Sequence, residues 1–150
     1  MAFRKNSRPC AWAAAVLLAS VPAIGQETAS DEVFDLTVRV VDADPLTGTL
    51  EISLFNSAET FLEQPYLQTS GAVNEDGTHQ ALFGKVPPGE YAVVVVHDEN
   101  GNGKLDTGFL GFGGESYAYS NDARPLFGRP PFDEVKFAVS ADTRITISVE

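Results

Sequence analysis

Cysteine is almost missing from this 150-residue chain: Cys10 is the only one, and it lies in an N-terminal apolar stretch. Everything downstream of it has no thiol, which excludes a disulfide framework, a cysteine-ligated zinc and a cysteine nucleophile there. Basic residues are also scarce. Ten Lys and Arg stand against twenty-one Asp and Glu, a net charge of −11, and such a surface repels nucleic acid and anionic lipid. Beyond residue 25 there is no sustained helical periodicity and no long apolar run. With 43% hydrophobic residues the chain can still fill the core of one domain.

The N-terminus carries its own signal. Arg4, Lys5 and Arg8 precede the apolar stretch from Cys10 to Val21, and the small residues Ala23 and Gly25 follow it. This order resembles a secretory signal peptide over residues 1–25, with cleavage after Ala23 or Gly25. The stretch falls short of the roughly 18–20 apolar residues of a spanning helix. Ser7-Arg8-Pro9 before Cys10 lacks the small-apolar box of a lipoprotein site. The expectation is an exported protein, periplasmic or extracellular, with no stable membrane anchor after cleavage. Losing three of the ten basic residues leaves seven against twenty-one acidic ones, a net of −14.

Residues 26–32 form a polar lead-in, and residues 33–150 read as one β-domain. Leu36, Val38 and Val40 alternate with polar neighbours; after Asp44-Pro45-Leu46-Thr47-Gly48, so do Leu50, Ile52 and Leu54. This period of two predicts a hairpin with one wet face. Val135, Phe137 and Val139, a turn over 140–142, and Ile145, Ile147 and Val149 predict a second hairpin. Residues 56–70 read as a long loop or as a short helix ended by Pro65. Thr78 to Val86 is a strand with Phe83 as its core anchor, and Pro87-Pro88-Gly89 reverses the chain. Tyr91 to Val96 is apolar at every position, as expected of a central strand covered on both faces. The fold class that follows is all-β: an antiparallel two-sheet β-sandwich of about seven strands, immunoglobulin- or transthyretin-like, with a partly closed barrel as its competitor.

One loop has side chains spaced for chemistry. With Asp98 as the first position of a twelve-residue calcium loop, oxygen donors fall at positions 1, 3, 5 and 9 as Asp98, Asn100, Asn102 and Asp106. Gly103 takes the sharp-turn position and Lys104 offers its backbone carbonyl. Position 12 is Phe109, which supplies no carboxylate, so Glu115 or Asp122 would have to fold back to complete the set. A helix–loop–helix setting is excluded, because the segment before Asp98 is the best strand in the chain. Asn100-Gly101 and Asn102-Gly103 equally suit an Asx-rich turn closed by its own hydrogen bonds, with no metal.

Other polar residues carry less. His97 shares a strand face with Val93 and Val95, so Asp98, on the opposite face, does not orient it; a hydrogen-bonded strand-end histidine is expected. His79 is isolated, and two separate histidines do not make a transition-metal site. Gly108 to Gly114 lacks the strand–helix setting of a dinucleotide fingerprint. Tyr117 and Tyr119 share one face, as core residues or as an aromatic binding strip.

The succession from Val86-Pro87-Pro88-Gly89-Glu90-Tyr91 through His97-Asp98-Glu99-Asn100-Gly101-Asn102-Gly103-Lys104-Leu105-Asp106, Glu115, Ser120-Asn121 and Pro130-Pro131-Phe132-Asp133 resembles the secreted bacterial family called domain of unknown function 2141. The resemblance runs over roughly Leu36 to Val149 and implies an exported sandwich with no established activity. The Pro-Pro-Gly-Glu-Tyr turn is more loosely similar to transthyretin-like and carboxypeptidase-regulatory-like sandwiches. Two classes of function remain. One is a non-catalytic module that binds a protein or small-molecule partner through its long loops, with calcium as the sole candidate cofactor, held by Asp98, Asn100, Asn102, Lys104, Asp106 and Glu115. The other is a hydrolase or carbohydrate-active enzyme that uses Glu115, Asp122 or His97.

Overall fold

A computed structural model describes residues 32–45, 47–101, 114–125 and 128–149. The expected signal peptide, most of the lead-in, and Asn102, Gly103, Lys104 and Asp106 lie outside the described residues. Eight strands are described: β1 (Phe34–Val41), β2 (Thr49–Phe55), β3 (Leu67–Ala72), β4 (His79–Val86), β5 (Gly89–Asp98), β6 (Tyr117–Tyr119), β7 (Phe137–Val139) and β8 (Thr143–Ser148). A 3₁₀ turn at Ser120–Asp122 and a single helical turn, α1 (Phe132–Val135), complete them.

The strands form the expected sandwich. One sheet has the order β4-β1-β8; the other has the order β3-β2-β5-β6, with β7 also on β5. Pairing is antiparallel except between β1 and β8, which run parallel from Leu36↔Thr143 to Val41↔Ser148. Period two determines what each strand buries. Leu36, Val38 and Val40 of β1 face Leu50, Ile52 and Leu54 of β2 across a core completed by Phe83, Val93, Val95 and Ile147. Each such side chain contributes about 1.5–3 kcal/mol by leaving water.

Neither predicted hairpin is a hairpin. β1 pairs with β4 and β8 while β2 pairs with β3 and β5, so the segment between β1 and β2 crosses from one sheet to the other. The same holds at the C-terminal end, where β7 pairs with β5 and β8 with β1. Alternation identifies the buried face of a strand but not its sheet, because the two inner faces share one core. Asp42 and Gly48, both at positive φ, make the first crossing possible. Val135 is not strand but the end of α1.

β5 is central, and both of its faces are covered. Tyr91, Val93 and Val95 point into the main core. Ala92 and Val94 point outward into a second cluster with Phe55, Tyr119, Phe132 and Val135. There Phe61 packs edge-on against Phe55 at 5.3 Å and Phe132 at 5.7 Å. The segment from 56 to 66 is thus turns that lay an aromatic lid on the sheet, with Leu62 at positive φ, and it is followed by β3, an exposed edge strand.

One residue bridges the change of partner along β5. β7 pairs with Gly89 to Tyr91 and β6 with Val94 to Val96, leaving Ala92 and Val93 between them. The buried hydroxyl of Ser120 fills that place. It accepts from the Val93 N–H at 2.9 Å and donates to the Val135 carbonyl at 2.5 Å, tying β5 to α1.

Candidate site at the end of the central strand

Three segments meet where β5 ends. The first is Thr47-Gly48, entering β2. The Nε2–H of His97 donates to the Thr47 carbonyl at 2.8 Å, and a Cβ on Gly48 would collide with the Asp98 carbonyl oxygen. Only glycine permits that approach at φ +63°. The second is the corner after β5, where Asp98 Oδ1 accepts the Gly101 N–H at 2.7 Å. The third is the stretch entering β6, held alongside by the His97 N–H to Ser116 carbonyl bond at 2.8 Å.

This arrangement brings Glu115 to the loop. Asn100 Nδ2 donates to Glu115 Oε1 at 3.2 Å, across fifteen residues of chain. Asp98 is 3% exposed and Glu115 9%, so two carboxylates are buried at this end, where each requires hydrogen bonds or a cation to offset lost hydration. Asp122 goes elsewhere. It sits at positive φ in the 3₁₀ turn, and its Oδ1 faces the Ser148 N–H of β8 at 3.5 Å. Of the six expected metal ligands, Asp98, Asn100 and Glu115 are thus described close together, and the other three fall outside the described residues. Among the described residues, no group of three or more His, Cys, Asp and Glu gathers around a common point.

His97 is 1% exposed and is spent on the Thr47 carbonyl, the hydrogen-bonded strand-end state expected of it. His79 lies far along the chain, on the β3 side; its ring packs on Gly71 and its Nδ1 meets the Ala72 carbonyl at 3.0 Å.

A cleft of about 340 Å³ runs beside β6, lined by residues 114–119 on one wall and by residues 122–125 and Ser148 on the other. It holds both Glu115 and Asp122, with Arg124 opposite β6. Tyr117 and Tyr119 meet edge to face at 5.7 Å. Burial pushes the Tyr119 hydroxyl above its ordinary pKa, the neighbouring Tyr117 adds to the rise, and Arg129 opposes it. The sequence marks Glu115, Asp122 and the tyrosines separately. Arg124 and Ser148 carry no local signal as neighbours of β6, because a sheet crossing brings Ser148 there.

Comparison with known proteins adds one match: the family model described as "Uncharacterized protein conserved in bacteria (DUF2141)" matches residues 38–147. No curated protein and no solved structure matches.

Proposed function

The chain belongs to the DUF2141 family of uncharacterized bacterial proteins, and for this member we propose a non-catalytic binding module, exported to the periplasm or beyond, whose loop end takes a partner and a weakly held calcium ion. The observation that carries it is the contact of Asn100 with Glu115 beside the buried Asp98. Glu115 brings to Asn100 a carboxylate of the kind the loop's own twelfth residue, Phe109, does not supply, and Asp98 and Asn100 keep the alternate spacing a hard cation uses. Asn102, the Lys104 carbonyl and Asp106 are the further donors their spacing suggests. Two or three carboxylates without an in-loop bidentate Glu suit the weak range of about 10⁻⁴–10⁻³ M typical of extracellular modules. Export is supported by the basic–apolar–small order of residues 1–25. Among the described residues no helix is long and apolar enough to cross a membrane.

Thermal unfolding of the processed chain with EDTA and with calcium tests the cation. At a concentration ten to a hundred times Kd, selective binding adds about 1.4–2.7 kcal/mol, a rise of several degrees in Tm. An unchanged midpoint at calcium well above a millimolar would remove the ion from the proposal.

The enzyme reading draws on one observation, that Glu115 and Asp122 line one cleft. Their bonds to Asn100 and to the Ser148 amide, and the engagement of His97 with Thr47, give them structural work instead. Turnover in a hydrolase-substrate screen, lost in both Glu115→Gln and Asp122→Asn, would replace the module by an enzyme.

A further inference from the structure

The cleft beside β6 has an unusual lining. Side chains of a strand alternate between faces, so a pocket over one face collects every second residue. Here all of residues 114–119 contribute, so the cleft follows the edge of the strand rather than a face. β6 ends its sheet: β5 is its only strand partner among the described residues. The far wall includes Ser148, the last residue of β8, which is an edge strand of the opposing sheet.

The phase of the ladder fixes which backbone groups face the cleft. His97 N–H bonds the Ser116 carbonyl, and Val96↔Tyr117 and Val94↔Tyr119 are the adjoining pairs. In an antiparallel ladder bonded and non-bonded pairs alternate, so Ser116 and Ala118 turn their N–H and C=O groups to β5, while Tyr117 and Tyr119 turn theirs outward. The Ser120 hydroxyl on Val93 N–H continues the same phase. Among the described residues no hydrogen bond takes the outward N–H of Tyr117, a residue 46% exposed. An edge of this kind is a template for one more strand.

We propose that the groove along β6 is a strand-addition site, which takes an extended segment of a partner protein bearing a basic side chain. Backbone bonding to Tyr117 supplies affinity independent of sequence, and alternate side chains of the guest enter the groove. The charge follows from Asp122 on the wall of the groove and from a chain whose net charge is −11. Tyr117 offers an aromatic ring for the stem or head of a Lys or Arg. The volume, about 340 Å³, is at the small end of ligand clefts and matches a short guest beside a three-residue strand. This inference rests on the binding-module reading and names its partner class. Its variants, at Tyr117 and Asp122, lie outside the calcium ligand set, so loss of calcium binding and loss of strand addition are separable.

The test is to pan the immobilised, processed chain against a phage-displayed library of random peptides and to titrate the enriched sequences into isotope-labelled protein. Expected are peptides of alternating pattern with Lys or Arg, shifts confined to residues 114–125, and slowed exchange of the Tyr117 amide. Tyr117→Pro deletes the outward N–H, and the ring with it, without touching the β5 side, because proline is tolerated on a free edge. It weakens binding about tenfold, and Asp122→Lys weakens it by a similar factor. Should Tyr117→Pro fail to fold, N-methylation of alternate guest amides, which leaves the protein unchanged, must cost the same. The proposal is overturned by no enrichment, by binding indifferent to N-methylation, or by shifts elsewhere. It is equally overturned if soluble oligosaccharides displace the peptides, or if dilution alone moves the same amides, which would make the occupant a sugar or a second copy.

Discussion

The Nε2–H of His97 donates to the backbone carbonyl of Thr47 at 2.8 Å, fastening the end of the central strand to a turn fifty residues earlier. This bond makes His97 a structural residue of the sheet crossing. His97→Ala removes the partner of the Thr47 carbonyl and leaves a cavity where the buried ring stood, and should cost about 2–4 kcal/mol. His97→Gln, whose amide can reach the same carbonyl, should cost less. Urea unfolding checks both: the midpoint falls and the slope holds.

Ser120 offers a sharper measurement. Its hydroxyl is the partner of the Val93 N–H at a point where neither β6 nor β7 pairs with β5. Ser120→Ala leaves that amide buried and unbonded, at about 1–3 kcal/mol. Native-state hydrogen exchange at Val93 should accelerate more than at Val95, which keeps its place in the β6 pairing.

These two residues also show where the sequence runs out. Period two finds the inward residues Leu36, Val38, Val40, Leu50, Ile52 and Leu54, and the all-apolar run from Tyr91 finds the doubly covered strand. The sheet each strand joins is not legible, because the alternation is identical for a paired neighbour and for a strand facing across the core; Val40 and Leu50 bury the same way on opposite sheets. β3 escapes notice since Gln68, Ser70 and Ala72 of an exposed edge strand carry no apolar period. At the site, the donors of one loop can be counted along the chain. That Glu115 rather than Asp122 approaches them depends on β6 running back along β5, which is a tertiary fact.

The outer aromatic cluster should behave as a cooperative unit. Phe61 lies edge-on to both Phe55 and Phe132 although it sits in a turn. Phe61→Ala is expected to destabilise by about 2–4 kcal/mol. A double-mutant cycle of Phe61→Leu with Phe132→Leu should return a coupling of about 0.5–1.5 kcal/mol. Additive losses would mean that the rings contribute area alone.

Stability should fall at both ends of the pH scale for identifiable reasons. The Thr78 hydroxyl, 2.7 Å from Asp76 Oδ1, is the main cause that lowers the Asp76 pKa below 3.8. A lowered acid stabilises the fold above its unfolded pKa, and that contribution disappears as pH falls through the folded value. Tyr91 and Tyr119 are raised above 10.0, chiefly by burial. Their contribution is whole below the unfolded value and is lost as pH climbs through the folded one. Lys136, raised above 10.5 by Asp133 and then Glu90, acts in the same alkaline direction. Tm measured across pH should therefore drop below about pH 4 and above about pH 10, and Asp76→Asn should flatten the acid limb only.

Glu115 and Asp122 should separate cleanly in a calcium titration. Both are acidic, both follow the loop, and both line the cleft beside β6, so net charge and proximity in sequence treat them alike. The hydrogen bonds do not: Glu115 meets Asn100, two positions from Asp98, while Asp122 meets the Ser148 amide on β8. Glu115→Gln keeps the size of the side chain and a carbonyl oxygen but removes the charge a hard cation needs, so the calcium-induced rise in Tm should shrink to near nothing. Asp98→Asn should do the same. Asp122→Asn, which removes an equal charge from the other wall, should leave the rise intact apart from a small loss that added salt also produces. Equal loss in Glu115→Gln and Asp122→Asn would mean that calcium answers only to the diffuse negative field, and the coordinated ion would have to be given up.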